Sequence, residues 1–297
     1  MKIIRNKIKD KTVVALGNFD GLHRAHTEII KKTCTYAEKY GLLSCVLLFD
    51  THTDKSTNLL TAQSEKLEIL NEMGVNAVYI QEFSESFMHM TPDEFAKFLR
   101  DTLNVSAVCI GYDYRFAYKA QGDAEKLKSL GEKYGFSVIV TDEIKYNDNI
   151  IKSTMIRLLV MNGEIEDANL MLGRNYFVTG EIVKGFGNGH KLGFPTANIR
   201  YEYNKQLPEN GVYMGYTTIC GVRHKSVINV GNNPTFGADT VTVESHIIGF
   251  DGDIYGKTAK VEFVGRIRDE KKFNSLDELK KQIELDKAKA REELVCT

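Results

Sequence analysis

Gly185, Gly187, Gly189 and Gly193 fall within nine residues and lead into Pro195, Thr196, Ala197 and Asn198. A loop this rich in glycine lets backbone approach a ligand, because no Cβ intervenes, and it can turn N–H groups onto phosphate oxygens. Thr196 and Asn198 place a hydroxyl and an amide at alternate positions. Both are neutral oxygen donors suited to Mg²⁺ beside a nucleotide phosphate. The stretch lacks the Gly-Lys-Ser/Thr ending of a Walker A element. Taken alone, its glycines read better as a β-turn.

A second cluster is Gly17, Asn18, Phe19, Asp20 and Gly21, followed by His23 and His26. It comes directly after the apolar run 13–16, which reads as a buried strand. Histidines three residues apart share one face of a first helical turn. There they can donate hydrogen bonds to charge developing on phosphate oxygens, next to a helix N-terminus that favours anions. An arbitrary pair with this spacing is an ordinary surface feature. The strand, glycine turn and helix start favour chemistry here.

Both strings resemble segments of one family. Residues 17–26 resemble the Gly-x-Phe-Asp-Gly-x-His-x-Gly-His motif of nucleotidyltransferases in the prokaryotic bifunctional riboflavin kinase/FAD synthetase family. Residues 185–198 resemble the ATP-binding segment of riboflavin kinases, and further matches run in order through 173–176, 229–236, 243–246, 250–256 and 268–273. Residues 151–157 resemble the family's Ile-Ser-Ser-Thr-x-x-Arg segment, and 111–116 its Gly-x-Asp-Phe-x-Phe segment.

The resemblance implies two activities: ATP-dependent phosphorylation of riboflavin to FMN, and adenylylation of FMN to FAD with release of pyrophosphate. It implies that Gly17, Phe19, Asp20, Gly21, His23 and His26 serve the second reaction. Asp113 would lie near flavin or adenine, with Ser153, Thr154 and Arg157 on the β- and γ-phosphates. For the kinase it implies ATP contacts from Gly185, Gly187, Gly189, Lys191, Gly193, Pro195 and Asn233, and Mg²⁺ on Thr196 and Asn198. Glu244 would orient or deprotonate the riboflavin 5′-hydroxyl, Phe273 would stack on the flavin, and Arg268 would contact ligand or phosphate. Read by residue type alone, Glu244 is an exposed strand carboxylate, and Phe273 and Arg268 are rim residues.

The chain also departs from the family pattern. Ala25 replaces a glycine, Thr51-His52-Thr53 stands for Pro-His-Pro, residues 117–122 replace Gly-x-x-Arg-x-Gly, and His190 replaces an arginine. Lys119 offers a partial substitute for the lost arginine. These changes keep alternatives open: a kinase with a degenerate adenylyltransferase half, a non-catalytic flavin-binding regulator, or another nucleotidyltransferase.

The elements that would hold these residues follow from patterning. Apolar runs at 13–16, 45–49, 77–80, 107–110 and 138–140 alternate with helical stretches, which predicts a doubly wound parallel sheet. Thr91, Pro92 and Glu94 form a helix start, and Gly41 and Gly135 are helix stops. Residues 153–172 read as helix. Beyond 173 come short alternating segments, with Asp251-Gly252 as a hairpin signal, and this predicts a small antiparallel barrel. A last helix opens on the pair Ser275 and Glu278, with Leu276, Leu279, Ile283, Ala290 and Leu294 as its apolar face. The expected domains are 1–172, a Rossmann-like nucleotidyltransferase domain, and 173–297, the kinase barrel.

Bulk composition limits the partners. With 39 basic and 40 acidic residues the net charge is −1, which offers no basic surplus for nucleic acid. Apolar runs are too short to span a bilayer, and no secretory leader is evident. Five dispersed cysteines, Cys34, Cys45, Cys109, Cys220 and Cys296, read as reduced thiols in a cytoplasm. The expected partners are riboflavin, FMN and ATP, with no obligate protein partner.

Overall fold

A computed structural model of the chain describes residues 1–50, 57–184, 196–232 and 241–295. The expected ligands Gly185, Gly187, Gly189, Lys191, Gly193, Pro195 and Asn233 lie outside the described residues, as do the departures at 51–53 and His190. Two compact units emerge, Met1–Ser153 and Thr154–Thr297.

In the first unit, β1 (Lys2–Ile4), β2 (Thr12–Ala15), β3 (Leu43–Phe49), β4 (Ala77–Gln81), β5 (Val105–Gly111) and β6 (Ser137–Thr141) form one sheet. Its order is β1-β4-β3-β2-β5-β6. Every pairing is parallel. β1 escaped sequence reading because it is a three-residue, largely exposed edge strand. β2 is buried along its whole length, which explains its uninterrupted apolar run. The chain moves from β2 to β3 on one side and later to β5 on the other, so the strand order reverses at β2. Ligands of open α/β sheets bind beyond the carboxyl ends of strands at such a switch.

Helices α1 (Arg24–Tyr40), α2 (Gln63–Glu72), α3 (Glu85–Met88), α4 (Pro92–Asp101) and α5 (Ala124–Tyr134) accompany the sheet. α1 stops at Gly41 with φ 63°. At α4 the Thr91 hydroxyl accepts from the Glu94 N–H at 3.3 Å, and Glu94 Oε2 accepts from the Thr91 N–H at 2.8 Å. A small hairpin, β7 (Lys145–Tyr146) with β8 (Asn149–Ile150), precedes the end of the unit.

The second unit opens with α6 (Ser153–Met161) and α7 (Ile165–Leu172), two helices where one was expected. Gly163 adopts φ 74° between them, and a Cβ there would lie 2.6 Å from Arg266 Nη1. α7 packs on the barrel strands described next, so the compact unit begins well before the sequence-derived boundary at 172/173.

Strands β9 (Tyr176–Val183), β10 (Ala197–Tyr201), β11 (Gly211–Ile219), β12 (Val222–Asn232), β13 (Val241–Ile247) and β14 (Thr258–Arg268) close in the order β10-β13-β12-β11-β14-β9. All six pairings are antiparallel, with β9 returning to β10. The expected tight hairpin at Asp251-Gly252 is corrected. A longer connection, 248–257, joins β13 to β14, and the left-handed residues are Gly249 and Gly256 (φ 73° and 75°) rather than Gly252.

Val243, Ser245, Ile228, Tyr213, Val261 and Phe263 fill the barrel and are fully buried. α8 (Leu276–Glu293) lies outside, its Ala290 and the following Leu294 packing on Val212, Met214, Tyr216 and Val227. Leu276, expected on that apolar face, is 65% exposed, whereas Asp286 is only 3% exposed.

Barrel closure depends on Gly215. It sits at a register shift between β11 and β14, and a Cβ would meet the Glu262 carbonyl oxygen at 1.8 Å. Neither strand can withdraw without breaking its ladder. Gly215→Ala should cost about 3 kcal/mol, at the upper end of overpacking penalties. A denaturant titration that gives wild-type stability would refute this account of the closure.

Candidate active sites

The first site forms at the carboxyl end of β2. Gly17 leaves room for the Phe19 ring, whose Cζ would lie 3.2 Å from an added Cβ. Phe19 itself takes φ 48° and is fully buried. It supports the site from below, with its ring edge-on to His26 at 5.3 Å. Gly21, at φ 82°, completes the turn into α1.

His23 is the N-cap residue of α1 and His26 lies in its first turn. Their rings stack with centroids 3.7 Å apart and planes 18° from parallel. His23 is buried and His26 half-buried. The expected shared face is therefore realised as a stacked pair at a helix N-terminus.

Asp20 acts on the protein itself. Its carboxylate accepts from the backbone N–H groups of Leu60 at 3.3 Å and Thr61 at 3.1 Å. Its carbonyl accepts from the Ser153 hydroxyl at 2.8 Å. Sequence reasoning placed Asp20 and Ser153 on nucleotide; in the structure both also hold the turn together. Lys66, buried on α2, donates to the Asn18 carbonyl at 3.3 Å. Nothing in the sequence marked Lys66, because a lysine on a helix normally reads as solvated.

Asp113 follows β5, the neighbour of β2, so it rises from the same edge of the sheet and is exposed. Thr154 is exposed and Arg157 half-buried on α6, in the second unit.

The second site is written in the barrel's register. Asn198 of β10 stands directly opposite Glu244 of β13. On its other side Glu244 stands opposite Asn229 of β12. Directly opposed residues of antiparallel strands project to the same face, with Cβ atoms about 5 Å apart. The alternate residue Ser245 points inward, where its hydroxyl meets that of Thr217 at 2.7 Å. The row Asn198, Glu244, Asn229 is therefore on the outer face.

Asn198 is 8% exposed, and its Oδ1 has no hydrogen-bond partner among the described residues. A buried acceptor without a donor is costly unless a ligand satisfies it. Thr196, half-buried, stands two residues before it at the entry to β10. Glu244 is half-buried, and burial pushes its carboxyl above the ordinary glutamate value. An orphaned amide oxygen beside a desolvated carboxylate suits a hard cation carried in by phosphate. Among the described residues no group of three or more His, Cys, Asp or Glu could hold a metal alone.

Arg268 ends β14 with its guanidinium committed to α8. Its Nε reaches both Asp286 oxygens at 3.1 Å and its Nη2 reaches Oδ2 at 2.9 Å. Gln282 also donates to Asp286 at 2.9 Å. Phe273 is half-buried, with the Arg268 guanidinium 5.8 Å from its ring centroid. Arg268 thus binds the helix instead of presenting a free fork to phosphate, and Phe273 stays beside it. Asp286 was missed because an aspartate within an apolar helix face carries no sequence signal of its buried partner.

Comparison with known proteins accords with both halves. The FAD synthetase family model matches residues 5–155 and the riboflavin kinase model matches residues 172–294. The bifunctional riboflavin kinase/FMN adenylyltransferase of Bacillus subtilis is 32% identical, over 94% of this chain and 92% of that one. The chain belongs to the bifunctional riboflavin kinase/FAD synthetase family. Its Escherichia coli relative of the same description is 33% identical, again over 94% and 92% of the two chains. A solved structure described as a macrolide-efflux protein from Streptococcus pneumoniae has a TM-score of 0.85 and 30% identity, covering 97% of this chain and 98% of that one. Among the described residues no helix is long and apolar enough to cross a membrane.

One departure from the family pattern has a clear physical cost. Ala117 occupies φ 66°, ψ 179°, a region essentially reserved for glycine. Lys119 and Ala120 follow at φ 51° and 58°. Gly122 retains its glycine because a Cβ would lie 2.4 Å from the Phe116 ring. Ala117→Gly should therefore stabilise the first unit by about 1 kcal/mol, after the entropic cost of glycine is set against the released strain. An unchanged or lower unfolding midpoint would show that the strain is absorbed elsewhere.

Proposed function

We propose that the barrel transfers the γ-phosphoryl group of ATP to the 5′-hydroxyl of riboflavin, and that the first unit joins the resulting FMN to AMP. The observation that carries the kinase assignment is the opposition of Asn198 and Glu244 on the barrel's outer face. It brings a metal-type donor and a carboxylate base within one strand spacing.

In the kinase step Glu244 accepts the hydroxyl proton. The freed oxygen bonds to the γ-phosphorus as the bond to the bridging oxygen breaks, and ADP leaves. Thr196 and Asn198 would hold Mg²⁺, which would neutralise charge on the phosphate oxygens. Phosphoryl transfer gains chiefly from positioning and charge stabilisation, and the strand register supplies the positioning. Phe273 offers its ring to the flavin, while Arg268 serves through its hold on Asp286 and α8.

In the second reaction an FMN phosphate oxygen attacks the α-phosphorus of ATP, and pyrophosphate leaves. The attacking group is already anionic, so no strong base is required. His23 and His26 donate to the phosphates as charge moves onto the leaving group. Asp113 contributes to the flavin or adenine pocket. Asp20, Gly17, Gly21 and Phe19 keep the turn in shape. A reducing, cytoplasmic setting suits the thiols: Cys45 is buried, and its thiol is pushed up to about 12.

A time course of flavin products tests both assignments. Glu244→Gln should slow FMN formation about 10²–10⁴-fold, the range for a positioned base, and leave FAD formation from supplied FMN intact. His26→Ala should do the reverse. Because Glu244 must be ionised to accept a proton and burial raises its pKa, the kinase rate should fall with acid at a pH above the ordinary glutamate value. That acid limb should vanish in Glu244→Gln. Undiminished FMN formation by this variant would remove Glu244 from the chemistry.

A further inference from the structure

The outer-face row does not stop at Glu244. Asn229 is opposite Glu244 on one side and Val212 on the other, and Val212 is in turn opposite Arg268. Read around the barrel, the row is Asn198, Glu244, Asn229, Val212, Arg268. Asn198 and Glu244 form the phosphoryl-transfer end. Arg268, with Phe273 beside it and α8 tied to it, forms the other end. Adjacent strands are about 4.8 Å apart, so Glu244 and Arg268 stand roughly 14 Å from one another along the row.

Riboflavin has the same two ends: a flat aromatic ring and a terminal alcohol, joined by a chain of hydroxylated carbons. With the ring at Phe273 and the alcohol at Glu244, two strands lie between them, β12 and β11, whose outward residues at this level are Asn229 and Val212. Asn229 is the polar one of the two and the one directly beside Glu244.

Three observations prepare Asn229 for this contact. It is half-buried, and its side chain makes no hydrogen bond among the described residues. Its neighbour on the same face, Gly231, has no side chain to cover it; the Glu270 carboxylate fills the space a Cβ would take there, with Oε1 2.1 Å and Asn229 Nδ2 3.4 Å from that position. The other neighbour at its level, Val212, is buried under α8 and has no polar atom to offer. A carboxamide both donates and accepts, which matches a hydroxyl, itself a donor and acceptor.

We propose that Asn229 is a substrate-contact residue that recognises the hydroxylated side chain of riboflavin and sets its terminal alcohol against Glu244. The proposal rests on the kinase reading above. It assigns Asn229 to the flavin side of the site, with no part in holding the metal or ATP.

The test is steady-state kinase kinetics on the full chain, with Asn229→Ala and Asn229→Asp beside wild type. Loss of one hydrogen bond to a neutral group predicts a riboflavin KM about tenfold higher in both variants. The ATP KM should stay within twofold. FAD formation from supplied FMN should be unchanged, which also reports that each variant is folded. A riboflavin KM within twofold of wild type, or an ATP KM rising in step with it, would overturn the assignment. Riboflavin fluorescence titration separates this outcome from failure of the kinase reading. Weaker flavin binding by Asn229→Ala, together with full activity of Glu244→Gln, would retain the contact and reject the base. Unaltered binding would reject the contact whatever Glu244 does.

Discussion

The kinase half of this molecule depends on strand register. Side chains along a strand alternate with period two, so a one-residue slip would turn every outward residue of β13 inward. Val243 and Ser245 are fully buried and fix that register from within the barrel. Glu244 then has no choice but to face outward between Asn198 and Asn229. The site is thus specified by the barrel's packing as much as by its own polar residues. The same constraint explains why polar groups of three different strands meet without hydrogen bonds linking them.

The first unit positions its chemistry by different means. A single turn after β2 is held from several directions: Asp20 takes two backbone N–H groups from 60–61, Ser153 takes the Asp20 carbonyl, and Lys66 takes the Asn18 carbonyl. Those contacts support the left-handed backbone of Phe19 and Leu22, which would otherwise be unfavourable for side chains of that size. The stacked histidines are a consequence of the turn's shape. In one half, therefore, a ladder aligns the candidate residues; in the other, a clamped turn does.

Much of this was legible in the sequence. The buried strands β2, β3 and β5 announce themselves as continuous apolar runs because both faces of the sheet are covered. The capping residues at Thr91 and Ser275 mark helix starts, since the hydrogen bonds involved are local. The two histidines and Glu244 were marked by their motifs. What stayed hidden depends on contacts between residues distant along the chain. The pairing of Asn229 with Glu244 needs the register of two strands whose connection has no fixed length signal. Asp286 looks like a solvated charge until Arg268 is brought to it across the barrel surface. By contrast, the break at Gly163 carries the same local stop as Gly41 and Gly135, a left-handed glycine closing the preceding helix, and was read through because apolar residues resume soon after it.

The pin from Ser153 to Asp20 spans 133 positions. Everything between them must be synthesised before the histidine-bearing turn can acquire its final clamp. The turn is therefore complete only when the far end of the unit is in place, and truncating the chain before residue 153 would remove this clamp while leaving every strand of the sheet intact.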